Sequence, residues 1–171
     1  MLWPDSTTSR VIRDLWDAIA VEGVPSMATH THRLHQPHVS LIVAEQLPVN
    51  AVVEVVGPVP PEPIKLLIEA AGVFPGGFLF LACVASQQLL NEQRRVHRAV
   101  QPFAIDPWPY FGQGTWTPHI TIGWALTPQE LSQALPIVLD CLPIDGWLDN
   151  GGVEDGSTGE NWTYPGESAP I

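Results

Sequence analysis

Basic residues are scarce in this chain. Seven Lys and Arg stand against eighteen Asp and Glu over 171 residues, a formal net charge of −11. A long electrostatic track along RNA or DNA needs clustered Lys and Arg, so this balance argues against one. It leaves room for a small phosphorylated ligand held by local groups. The basic cluster of Arg94, Arg95 and Arg98, beside His97, has helical spacing and reads as a solvated face rather than a phosphate site. Cysteine is nearly missing as well. Cys83 and Cys141 are the two present. They read as small buried residues in a reducing compartment, not as a disulfide framework. Long apolar runs are also lacking: none reaches the roughly 20 residues that span a bilayer. The stretch from Phe78 to Val84 has strand length. Met1-Leu2-Trp3-Pro4-Asp5 shows no basic region followed by an apolar one, so a signal peptide is not expected and a cytoplasmic location is.

What is present suits one folded domain over 1–171, with 45% hydrophobic residues to supply its core and only the last six or so residues loose. Met1 to Trp3 can form a short strand. Val11, Leu15, Ala18 and Ile19 recur at helical spacing, so a helix is expected over 6–21, capped by Asp5, Ser6 or Thr7 and stopped near Gly23. Residues 24–36 form a polar, His-rich loop. Residues 48–57 are β-branched, which suggests a strand, and Pro58 to Pro63 is a connector. Ile64, Leu66 and Ile68 alternate in strand fashion, Pro75-Gly76-Gly77 is a turn, and Phe78 to Ala85 returns as the second arm of a hairpin. Ser86 can cap a helix over 87–100. Residues 101–117 are a long loop rich in Pro, Gly and aromatics. Thr127-Pro128-Gln129-Glu130 carries a cap, a proline at the first helical position and a capping-box Glu, so a helix follows to about Leu139. Trp147 and Trp162 flank the turn cluster Asp155-Gly156-Ser157-Thr158-Gly159, which makes Ile144 to Tyr164 a terminal hairpin.

One short phrase occurs twice. Pro37-His38-Val39-Ser40-Leu41 and Pro118-His119-Ile120-Thr121-Ile122 each read proline, histidine, β-branched, hydroxyl, aliphatic. In an extended strand the histidine and the hydroxyl two residues later share a face, and the aliphatics take the other. Strands are therefore expected over His38 to Ala44 and over 118–125. Two strands that each offer an imidazole and a hydroxyl are suited to acid–base chemistry on a phosphate, because histidine can take or give a proton near neutral pH.

Two H-x-[ST]-x motifs, each opening an apolar strand, resemble the signature of the 2H phosphoesterases, the superfamily that includes the 2′-5′ RNA ligases and 2′,3′-cyclic nucleotide phosphodiesterases. The order of elements fits over nearly the whole chain. The resemblance implies an α+β fold: bilobal, pseudo-twofold, two antiparallel sheets with flanking helices and a central cleft lined by both motifs. It also implies a short helix in the ambiguous 48–57 segment. It assigns His38 and His119 as catalytic acid and base, in either order, and Ser40 and Thr121 as hydrogen-bond donors to the phosphate. The activity it implies is metal-independent hydrolysis of a small cyclic or 2′-5′ nucleotide phosphodiester, with RNA 2′-5′ ligation or RNA-end processing as the near variant. No cofactor or metal is expected, the partner is a small nucleotide or RNA-end phosphodiester, and the chain is expected to act as a monomer away from membranes. Ser40 stands where Thr is common, which keeps the hydroxyl.

Other residues compete for attention. Tyr110, Phe111 and Trp116 lie in the loop before the second motif, where a base could stack on one of them or where they simply close the core. Trp124, five positions past His119, reads as core by alternation. His30, His32, His35 and His38 are spaced such that imidazoles could hold zinc or copper, but they fit no closed structural pattern, and a mobile polar loop is the favoured reading. A nucleotide-binding protein without turnover, or a metal-dependent hydrolase using these histidines, are the functional alternatives.

Overall fold

A computed structural model describes residues 1–57 and 60–163. Strand β1 (Leu2–Pro4) leads into helix α1 (Ser6–Val21). Strand β2 (Ala44–Gln46) and helix α2 (Val49–Val56) follow the His-rich loop. The hairpin of β3 (Ile64–Phe74) and β4 (Phe78–Cys83) precedes helix α3 (Gln87–Val100). Strand β5 (Ile105–Pro107) interrupts the long loop before β6 (His119–Gly123). Helix α4 (Pro128–Asp140) and the hairpin of β7 (Ile144–Glu154) and β8 (Asn161–Thr163) complete the order. Among the described residues one sheet runs β1-β7-β3-β4-β6 with β8 added to β7, and a second contains only β2 and β5. Every pairing in both sheets is antiparallel. The class is therefore α+β with two antiparallel sheets, as expected.

The helices form where their caps and apolar stripes dictate. Asp5 caps α1, accepting from the Thr7 and Thr8 amides at 2.9 Å and from the Thr8 hydroxyl at 2.7 Å. Its other oxygen also accepts the Trp147 amide, so the same carboxylate fastens α1 to β7. Ile12, Leu15, Trp16 and Ile19 form the buried stripe, whereas Ala18 faces outward. The capping box at Thr127 is complete in both directions. The 48–57 segment is helical, and its Val52 and Val56 are buried. Of the proline connector, Pro58 and Val59 lie outside the described residues, as do residues 164–171, which include Tyr164 of the expected hairpin and the last six or so residues expected to be loose.

Two sequence expectations change here. The segment after His38 is not a continuous strand. Val39 makes a single antiparallel pairing with Leu2, through 2.9 Å bonds in both directions, and regular pairing resumes only at Ala44, with Pro107 of β5. The partner on that side, β1, is three residues long, so there is no longer ladder to join. Cys83 is buried as expected, and burial pushes its thiol up to about 12, but Cys141 is only half-buried at the end of α4.

The Asp5 carboxylate makes a test of the packing between α1 and β7. Burial alone would raise its pKa, but bonds from Thr8, Trp147 and Thr7 outweigh that and hold it below the ordinary 3.8. A depressed carboxylate stabilises the fold above its unfolded pKa and loses that contribution as pH falls through the folded value. Asp5→Ala is expected to cost about 1–2 kcal/mol at neutral pH in urea denaturation. The gap to wild type should narrow below pH 3.8. A constant gap across that range would show that the charge is not what matters.

Candidate active site

Both repeats of the Pro-His phrase show the same alternation. Pro37, Val39 and Leu41 are buried while His38 and Ser40 are half-buried, and Pro118, Ile120 and Ile122 are buried while His119 and Thr121 are half-buried. Val39, Leu41 and Ile122 have no exposed surface. Each such aliphatic contributes about 1.5–3 kcal/mol on burial. A one-residue slip would expose these aliphatics and bury the imidazoles instead, so the core sets which way the histidines face.

The two imidazoles are oriented in the same manner. His38 Nδ1 is 2.7 Å from the carbonyl oxygen of Gln36, and His119 Nδ1 is 2.7 Å from that of Thr117. A carbonyl only accepts, so Nδ1 carries the proton in each ring and Nε2 holds the free lone pair of the neutral form. The hydroxyl positions are held alike too. Trp16 donates its indole N–H to the Thr121 carbonyl at 3.2 Å, and Trp116 donates its own to the Ser40 carbonyl at 3.0 Å. Buried Gln93 of α3 completes the frame, donating to the Leu41 carbonyl at 3.2 Å and the Phe111 carbonyl at 2.9 Å. The loop behind α1 covers the free edge of β6, with the Met27 amide on the Ile122 carbonyl at 2.9 Å. His38 and Thr121, one residue from each repeat, line the same small depression together with Trp16, Met27, Gln36 and Ile120.

The surroundings of the two rings differ. His119 stands among aromatics: Phe74 and Phe80 meet it edge-on with ring centres 5.0 and 5.4 Å away, and Phe111 lies at 6.4 Å. Burial in that setting pushes its pKa below 6.5, against the Thr117 bond, which favours the charged ring. Gly72 makes room for this arrangement, because a Cβ there would come within 2.4 Å of the Phe80 ring. His38 instead faces a carboxylate, with Nδ1 4.0 Å from Glu154 Oε2. Burial also pushes His38 below its ordinary value, opposed by Glu154 and by the Gln36 bond. Phe74, Phe80 and Glu154 escaped the sequence reading. Phe80 was recoverable in principle, since β4 pairs it with Thr121. Glu154 sits too far along the chain for any spacing rule.

The aromatics of the preceding loop separate. Tyr110 is 75% exposed, Phe111 is buried, and the Trp116 ring is half-buried against the core with its N–H engaged. Trp124 is not core, as alternation had suggested. It lies past the end of β6, just before Ala125 turns at φ 55°, and alternation fails there. It is 43% exposed and stacks on His30 with ring centres 5.4 Å apart. Arg95 binds Glu92 and the Val56 carbonyl, and Arg94 binds Asn91.

An antiparallel α+β body with two sheets, carrying two H-x-[ST] segments of matched local hydrogen bonding, agrees with the α+β class implied by the resemblance to the 2H phosphoesterases. The family model of the 2′-5′ RNA ligase superfamily matches residues 4–150, most of the chain, and the chain belongs to that superfamily. No curated protein matches it.

The ring orientations are directly observable. Side-chain ¹⁵N spectra at about pH 8, where both imidazoles are neutral, should show the proton on Nδ1 in His38 and His119, the minority tautomer of free histidine. His119 should protonate with a midpoint below 6.5. A proton on Nε2 in either ring would contradict the carbonyl bonds described above.

Proposed function

We propose that this protein is a phosphoesterase that opens a small 2′,3′-cyclic or related 2′-5′ nucleotide phosphodiester, with His38 and His119 as general acid and base. The observation that carries the reading is the duplicated local construction: two half-buried imidazoles, each tied through Nδ1 to the carbonyl two residues before it. Each ring then has one nitrogen left for proton transfer, and its angle is fixed before substrate arrives.

In this reading the neutral imidazole takes a proton from water through Nε2 as the water oxygen bonds to phosphorus. The bond from phosphorus to one ribose oxygen breaks on the opposite side, and that oxygen takes the Nε2 proton of the other, charged imidazole. A nucleoside monophosphate leaves, and exchange with solvent restores the two protonation states. The hydroxyls of Ser40 and Thr121, on the same faces as the histidines, donate to the non-bridging oxygens as charge gathers there. The depression shared by His38 and Thr121 is the proposed floor of a cleft between the two motif-bearing halves. Tyr110 is the proposed stacking partner for a base, since Phe111 is buried and Trp116 is committed to Ser40. The net charge of −11 favours a small nucleotide over a long RNA. With the hydroxyl of another nucleotide end in place of water, the same proton transfers join two ends as the ring P–O bond breaks, which is how ligation relates to this chemistry.

Release of nucleoside monophosphate from 2′,3′-cyclic nucleotides, measured in excess chelator, tests the proposal. His38→Ala and His119→Ala should each lower turnover by about 10²–10⁴-fold in a folded protein. Ser40→Ala and Thr121→Ala should lower it by a smaller factor, about 10–10³-fold. Wild type that binds the nucleotide without turning it over would sink the hydrolase reading and favour a binding module.

A further inference from the structure

The loop ahead of the first motif does not stand away from the body. His30 stacks on Trp124 and on His35, and His35 meets His32 with ring centres 4.1 Å apart. His32 lies over Gly159 in the β7–β8 turn, where a Cβ would come within 2.6 Å of the ring. The loop bends inward through Thr31 and Arg33, at φ 41° and 60°. The result is that His32, His35 and Glu154 bring one donor atom each within 4.8 Å of one another. We propose that these three residues form a binding site for a divalent transition ion of the zinc type, holding the loop before the first motif to the end of β7.

Three features of the cluster support this. Glu154 and His35 are almost fully enclosed, with side chains 3% and 7% exposed, and a carboxylate so enclosed needs charged or hydrogen-bonding partners. Two polar atoms are left without a hydrogen bond, Glu154 Oε2 and His32 Nε2, both cut off from solvent, and the nearest charge contact of Oε2 is His38 Nδ1 at 4.0 Å. A buried acceptor and a buried ring nitrogen left together cost free energy that an ion between them would return. His35 Nδ1 and Glu154 Oε1 are already 3.3 Å apart. That is about the separation of two donors on one tetrahedral zinc with bonds near 2.0–2.1 Å.

The donor set fixes the class of ion. Two imidazoles and one carboxylate suit zinc and its neighbours and leave a fourth position for water, whereas calcium and magnesium prefer all-oxygen shells. His35 is arranged for the task, since its Nε2 lies 2.8 Å from the Thr31 hydroxyl. With Nε2–H donating to that oxygen, Nδ1 presents its lone pair toward Glu154. His32 must give up one contact. Its Nδ1 accepts the Leu34 amide at 3.0 Å. An ion at Nδ1 replaces that bond, while an ion at Nε2 moves the ring proton to Nδ1 and breaks it. Glu154 lies beyond the 4–150 span matched by the family model, so the site depends on a part of the chain outside that span. The role is structural, and the two-histidine chemistry above runs without the ion, although the same Glu154 carboxylate lies 4.0 Å from His38 Nδ1.

Untagged protein, stripped with chelator and desalted, is titrated with zinc chloride by calorimetry, and retained zinc is counted after gel filtration. One equivalent per chain is expected, with a rise in melting temperature. His32→Ala and Glu154→Gln should each weaken binding by at least about 10–100-fold. His97→Ala, on α3 outside the cluster, should bind as wild type does. Melting in chelator establishes which variants fold, and His32→Ala carries the comparison if Glu154→Gln does not. No zinc on folded wild type, or unchanged binding by folded His32→Ala, overturns the proposal. Neither result bears on cyclic-nucleotide turnover in chelator, so this inference and the proposed activity fail separately.

Discussion

Burying Val39 and Leu41 in one segment and Ile120 and Ile122 in the other forces His38, Ser40, His119 and Thr121 outward. The remaining order of the site follows from this constraint. Once the faces are chosen, each imidazole finds the carbonyl two residues back within 2.7 Å. Each hydroxyl residue leaves its own carbonyl to an indole from elsewhere in the chain. A net hydrogen bond is worth about 1 kcal/mol, less than one buried aliphatic. The core therefore decides the orientation and the polar bonds refine it.

The same local construction is set in two unlike surroundings. His119 sits on β6, an edge strand of the larger sheet, ringed by Phe74, Phe80 and Phe111, with Gly72 omitting a side chain so that Phe80 fits. His38 sits on a segment with a single pairing to β1, backed by Glu154 and the His-rich loop. One imidazole is positioned by apolar packing and the other beside a charged, polar cluster. Repetition at the level of five residues thus coexists with asymmetry one layer out.

Much of this was legible in the sequence because it is local. The cap at Asp5, the capping box at Thr127, the β3–β4 hairpin and the alternation of both motifs follow from residues within a few positions of each other. What was not legible depends on distant partners. The first motif was expected to lie in a full strand, but pairing depends on the length of β1, which its own sequence does not encode. β5 emerged from a stretch read as loop because its partner, β2, lies across the second sheet. Trp124 was misread because alternation was extended past the end of β6. Glu154 meets His35 across a separation of 119 residues, beyond the range of any motif.

The two indole bonds at the motifs span 105 and 76 residues. Neither can close while the nascent chain is short: Trp16 waits for Thr121, and Ser40 waits for Trp116. Contacts of such sequence separation carry a large loop-closure cost and slow folding. The histidines consequently acquire their final setting late in synthesis, after about two-thirds of the chain has emerged, and a truncated product ending before Trp116 would hold the first motif without its clamp.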